Sequence, residues 1–357
     1  NNEIGATEGG DFSLSGGAYT SNSNDVKIYA NDVSIGSAIN TGSQDLYFYV
    51  SDGADIGVGD TLKDFHISGS EFNQLNTTVL FVGDNTSGSI YVDNILQAQS
   101  DFVDRVELNA TLADKTIEFL EAESTFKSLI ANSDEAITVG QNVTTTTGEL
   151  TLNGDFSDSD VVGAKIEIGP GKALTSGTSL SLTSKGGDIV ALGSVTLQAK
   201  TDTFINDSLT TNGTTLILGD SDQNGSGDII LAEEVDVITN NFDLTLKSSD
   251  VIFEGTAAPD TMASVNTGTG TLYVSSSDDG DMGIGLTGAA HSFSLDEIAH
   301  SQAGAAGFGS TDSGDIYVDG LDIANSGHIV DYTFDAGLND RKVHFRNNAS
   351  TFKTLTA

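Results

Sequence analysis

Short alternations of apolar and polar residues run through the chain. They are clearest in its middle third, at ELTLNG (149–154), KIEIG (165–169), SLSLTS (179–184), DIVALG (188–193), SVTLQA (194–199), TTLILGD (214–220), DIILA (228–232) and DLTLKS (243–248). Each ends on Gly, Asn, Asp or Ser, as expected of a half-buried strand closed by a turn. Successive side chains of a strand point to opposite faces, so one face of each is predicted to be buried. The spacing suits either tandem antiparallel β-sandwich domains or a solenoid whose coil holds two or three short strands. Two features select the solenoid. Two-residue Asn-Gly turns between well-matched long strands, the strongest hairpin signal, are scarce, and the phrase TTVLFVGDNTSGSIYVD (77–93) returns as TTLILGDSDQNGSGDIIL (214–231). Polar starts followed by helical spacing predict short helices at GSEFNQL (69–75), STFKSLIANS (124–133) and SLDEIAHSQ (294–302). The pattern therefore predicts an all-β, elongated right-handed parallel β-helix with short helical insertions.

A longer period frames this pattern. STFKSLIA (124–131) returns as STFKTLTA (350–357), 226 residues on. At the same offset LADKTIEF (112–119) meets LNDRKVHF (338–345), and INTGSQDLYFYVSDGADIGVG (39–59) meets VNTGTGTLYVSSSDDGDMGIG (265–285). Residues 39–131 thus recur as 265–357. Before Ile39 the match needs a one-residue slip and fades. Fixed-period self-similarity marks array proteins, so residues 1–226 are predicted to form a first repeat unit and 227–357 a partial second one, stacked without a linker.

Composition sharpens the class. There are 41 Gly, 2 Pro, no Cys and no Trp, and 52 acidic against 14 basic residues give a net charge of −38. Phosphate backbones would be repelled, which excludes a nucleic-acid partner. No stretch has the roughly 18 apolar residues of a spanning helix, so direct membrane insertion is not expected. An acidic surface of this size invites divalent cations.

The strands GTTLILGD, GDIVALGSVTLQA and GELTLNG, with the phrase SEFNQLNTTVLFVGDNTSGSIYVD (70–93), resemble the repeat regions of filamentous-haemagglutinin-like exoproteins. The resemblance implies a large secreted bacterial adhesin built as a parallel β-helix. It covers most of the chain as a style of sequence and brings no catalytic residue.

Candidate chemistry is sparse. DSDQNG (220–225) matches the start of a calcium loop, in which alternate side chains converge on one ion and Gly supplies the sharp turn. Asp220, Asp222 and Asn224 would give side-chain oxygens, Ser226 a carbonyl and Asp228 a direct or water-bridged ligand; Leu231 stands where a helical calcium hand needs Glu. DFSDSD (155–160), SDGAD (51–55) and SSDDGD (276–281) are weaker carboxylate clusters, and Asp52 with Asp55 and Asp278 with Asp281 form matched pairs in the repeat. GPGKALT (169–175) lacks the residues of a phosphate loop, and the five histidines show no metal-ligand spacing. Arg341, Lys342, Arg346 and Lys353 crowd into the last seventeen positions, which hold no Asp or Glu. Such a basic end would meet an acidic face of a neighbour, giving head-to-tail or lateral self-association.

The expectation is a non-enzymatic, extracellular structural or adhesive rod from a bacterial or archaeal cell-surface filament, adhesin stalk or surface layer, with surface polysaccharide as a further partner. The alternatives are a β-helix polysaccharide lyase or hydrolase and a calcium-dependent carbohydrate-binding module.

Overall fold

The computed structural model describes residues 2–5, 10–50, 53–157, 165–256, 260–285, 289 and 291–356. The chain divides into two compact units, Asn1–Gly177 with Leu182–Asp188, and Thr178–Ser181 with Ile189–Ala357. Both are parallel β-solenoids, and every strand pairing described in them is parallel.

In the first unit one side of the coil is formed by Val26–Ala30, Leu46–Val50, Leu75–Val82, Val103–Ala110, Leu129–Ser133 and Leu150–Asn153. Their register aligns Val26, Leu46, Leu80, Val106, Leu129 and Leu150 in one inward column. A second side comprises Ile56–Gly59, Ile90–Asp93, Thr116–Phe119, Ala136–Val139 and Lys165–Ile168. There Ile56, Ile90, Ile117, Ile137 and Ile166 form a column of one residue type, each 0% exposed. β-Branched side chains have few rotamers and fit a pleated surface, so identical ones stack with little entropy lost. Each coil thereby closes the interior of its neighbour, the arrangement that lets a solenoid grow without a deeper core.

The second unit follows the same plan. Val195–Ala199, Thr215–Leu218, Leu244–Ser248, Thr271–Ser276, Ser301–Ser310, Ile329–Ala336 and Thr354–Thr356 line one side. Leu197, Ile217, Leu246, Val274, Phe308 and Phe334 form its inward column. Successive coils differ in length, from 19 residues between Ser124 and Val143 to 36 between Ile39 and Leu75 in the first unit and between Val265 and Ser301 in the second. The excess lies in loops and one-turn helices between strands.

The sequence repeat is rebuilt element by element. Ile56–Gly59 answers to Met282–Gly285, Phe65–Ile67 to His291–Phe293, Ile90–Asp93 to Ile316–Asp319 and Val103–Ala110 to Ile329–Ala336. The short helix Gly69–Phe72 answers to Leu295–Ala299, and both start with a capping box, Ser68 with Glu71 and Ser294 with Glu297. Gln97–Ser100 likewise answers to Ile323–Ser326. The match extends further back than the sequence showed. Glu71 accepts from the Ile35 amide at 3.0 Å and Glu297 from the Phe253 amide at 3.4 Å, while Asp32 accepts from the His66 amide at 2.9 Å and Asp250 from the Ser292 amide at 3.0 Å. Residues 25–35 therefore correspond to 243–253, with eight additional residues before Val265.

One predicted helix is corrected. STFKSLIANS (124–133) forms the strands Ser124–Phe126 and Leu129–Ser133, because Phe126, Leu129 and Ala131 complete inward columns with neighbouring coils. Tertiary pairing overrides its helical spacing.

Candidate functional site

The DSDQNG loop is built around Asp220, which is 1% exposed and takes a left-handed conformation, φ 58°. Its Oδ1 accepts from the Asn224 amide and its Oδ2 from the Gly225 amide, both at 2.9 Å, and the Ser277 hydroxyl also donates to Oδ2. The carboxylate thus closes its own turn. Asp222, Asn224 and Ser226 are exposed and Asp228 is half-buried. Burial, reinforced by the charges of Asp250 and Asp202, raises the Asp228 carboxyl above its ordinary range. Among the described residues no three His, Cys, Asp or Glu side chains are grouped to hold a metal ion.

Two of the other carboxylate clusters share a structural task. Asp55 accepts from the Ser89 amide and Asp281 from the Asp315 amide, both at 2.9 Å, one coil apart at equivalent places. Asp93 and Asp319 do the same for the amides of Ala122 and Asn348. Corners of a parallel solenoid leave amides without ladder partners, and a charged acceptor from the preceding coil satisfies them. Asp278 is held below the usual carboxylate range, chiefly by the Ser276 hydroxyl and also by the Gly280 amide. Asp52 and residues 158–160 lie outside the described residues. Asp155 is buried, and neither of its carboxylate oxygens has a hydrogen-bond partner.

The basic residues are brought near one another only in part. Arg341 lies 3.6 Å from Asp281. Arg346 sits over the Tyr317 ring, 3.6 Å from its centroid. The Lys342 backbone amide donates to Asp315 at 2.9 Å. Lys353 lies elsewhere, donating to the Gly327 carbonyl at 2.6 Å. In the first copy Lys63 covers Tyr91, the counterpart of Tyr317, at 3.3 Å. Each copy therefore places one cation on this tyrosine.

His291 occupies the inward place held by Phe65 in the first copy. It is 4% exposed; its Nδ1 meets the Ser249 carbonyl and its Nε2 has no partner. Burial lowers its pKa, against the Ser249 carbonyl and the charges of Asp250 and Asp278. Glu297, buried beneath the capping box, is raised to about 6 by burial.

One concave feature was missed by sequence reasoning. A cavity of ≈ 300 Å³ opens on the outward side of the second unit, lined by Tyr273, Gly307, Gly309, Thr271, Thr333 and Asp335, among others. Tyr273 is 43% exposed and leans over Gly307, where an added Cβ would come 2.9 Å from its ring. The signal was present in the repeat: Tyr273 aligns with Tyr47, and Gly307 with Phe81.

No protein-family model, curated protein or solved structure matches this chain.

Proposed function

We propose that this protein is an extracellular structural or adhesive solenoid, working as an acidic spacer whose outward faces hold partners. The observation that carries this reading is the 226-residue repetition rebuilt coil for coil, because repetition adds outward surface while the interior keeps one plan. The parallel solenoid also agrees with the architecture implied by the resemblance to filamentous-haemagglutinin-like exoproteins. Corner carboxylates such as Asp55, Asp93, Asp281 and Asp319 give part of the acidity a role in the backbone, and a high net charge favours solubility. No helix among the described residues is long and apolar enough to cross a membrane.

The test is retention under flow. Beads carrying the purified chain are expected to be held on surfaces coated with neutral polysaccharide or with cell envelopes, and beads carrying an unrelated acidic protein are not. Absence of retention on every such surface, together with release of unsaturated or shortened oligosaccharides in solution, would replace the adhesive reading with a polysaccharide-degrading one.

A further inference from the structure

The two copies diverge most on the outward side of their long strands. In the first, Tyr47 pairs with Phe81 on the next coil, their rings 4.5 Å apart and 3° from parallel. Tyr49 and Tyr29 continue the row, at 5.8 Å and then 4.8 Å between rings. In the second copy Tyr273 pairs with Gly307, and Gly307 with Thr333. The phenyl ring that completes the first stack is absent, Tyr273 tips over the glycine, and the ≈ 300 Å³ cavity lies alongside.

We propose that this cavity binds one pyranose ring of a neutral glycan, its C–H face against Tyr273 and its hydroxyls on Thr333 and Asp335. Three observations choose that occupant. The cavity measures ≈ 300 Å³, the lower end of the range of small-molecule sites and room for a single sugar ring. Its chemistry is two-sided, with an aromatic wall and a floor of backbone and small side chains, but a rim of two threonine hydroxyls and a carboxylate. An apolar ring would offer the rim carboxylate of Asp335 no donor, whereas sugar hydroxyls donate to it. Few well-placed polar groups in a mainly apolar hollow is the usual form of a small-molecule site. Finally, Asp331 and Asp335 are both exposed on this strand and the chain carries a net charge of −38, so uronates and sulfated sugars are repelled.

This inference rests on the adhesive reading for its biological sense, yet its test is separate. The full chain is titrated with glucose, galactose and mannose, and with glucuronate, by saturation-transfer NMR and calorimetry. At least one neutral hexose is expected to bind and glucuronate is not. Tyr273→Ala should weaken binding by about tenfold or more, the loss of one stacking face. Gly307→Phe, which restores the ring pair of the first copy, should abolish it, and Tyr47→Ala should leave it unchanged. Thermal unfolding verifies that each variant is folded; should Gly307→Phe fail to fold, Asp335→Asn takes its place and is expected to weaken binding. Binding that survives Tyr273→Ala, equal binding of glucuronate, or no binding of any neutral hexose would overturn the inference. Loss of hexose binding in Tyr273→Ala with bead retention intact would uphold the cavity and assign adhesion to another surface.

Discussion

The described residues of 25–131 and 243–356 follow the same run of coils, yet their positions have diverged under different rules. Inward positions exchange one apolar group for another: Val82, Val106 and Leu108 answer to Phe308, Tyr332 and Phe334. The larger rings meet one another, Phe308 with Phe334 at 5.8 Å and Tyr332 with Phe352 at 5.2 Å. Outward positions exchange freely, Phe81 for Gly307 and Glu107 for Thr333. The coil encloses the first set between its neighbours, so volume and polarity are constrained; the second set answers only to whatever it meets outside. His291 in the place of Phe65 and Ser276 in the place of Val50 break the inward rule. Coverage differs as well. Phe119 is 1% exposed and pairs in register with Val139, while its counterpart Phe345 is 50% exposed.

The largest expected effect is at Phe65, which keeps the inward rule that His291 breaks. Phe65→Ala should lower unfolding free energy by about 3–5 kcal/mol in urea titration. His291→Ala should cost less, because its buried Nε2 lacks a partner and an unsatisfied buried group already costs about 1–3 kcal/mol. The next effect belongs to pH. Glu297 is raised from 4.5 to about 6 by burial, so its contribution is fully present below pH 4.5 and lost as pH rises through 6, a swing of about 2 kcal/mol. Glu297→Gln should remove that component from the stability profile. His291 works the other way: its pKa is lowered, so its contribution is present at neutral pH and lost on acidification, and His291→Phe should remove it. A smaller difference separates the outward rings. Tyr47→Ala loses two ring contacts and should destabilise by about 1–2 kcal/mol more than Tyr273→Ala. The smallest effect should be shared: Lys63→Ala and Arg346→Ala each remove one cation from a tyrosine and should each cost about 0.5–1 kcal/mol.

Much of this was legible in the residues. All eight alternating runs named from the middle third contain strands, because period-two burial leaves a direct trace. The helices at Gly69–Phe72 and Leu295–Ala299 were legible from polar starts and helical spacing, and the structure adds a Ser-x-x-Glu capping box to each. Gln97–Ser100 carries no side-chain hydrogen bond from its N-cap Leu96, and it was not named. Serine-rich 124–133 misled because its apolar spacing fits both periods, and only the neighbouring coils decide between them. The candidate sites were less legible. Asp-rich turns look alike whether they face a cation or a backbone amide, and at Asp220 one of the partners, Ser277, lies 57 residues away. The Tyr273 cavity is defined by a missing ring, which a single strand cannot reveal but the aligned copy can.

The central claim, that both copies stack in one parallel register, is open to direct chemical test because the chain contains no cysteine. Neighbouring parallel strands bring registered Cα atoms to about 4.8 Å, within disulfide reach. The double variants Tyr47→Cys with Phe81→Cys and Tyr273→Cys with Gly307→Cys should both form intramolecular disulfides on mild oxidation, seen by peptide mapping without reductant. Tyr47→Cys with Leu80→Cys and Tyr273→Cys with Ala306→Cys, each one residue out of register, should not. Cross-linking of the shifted pairs in preference to the registered ones, or in one copy and not the other, would contradict the account.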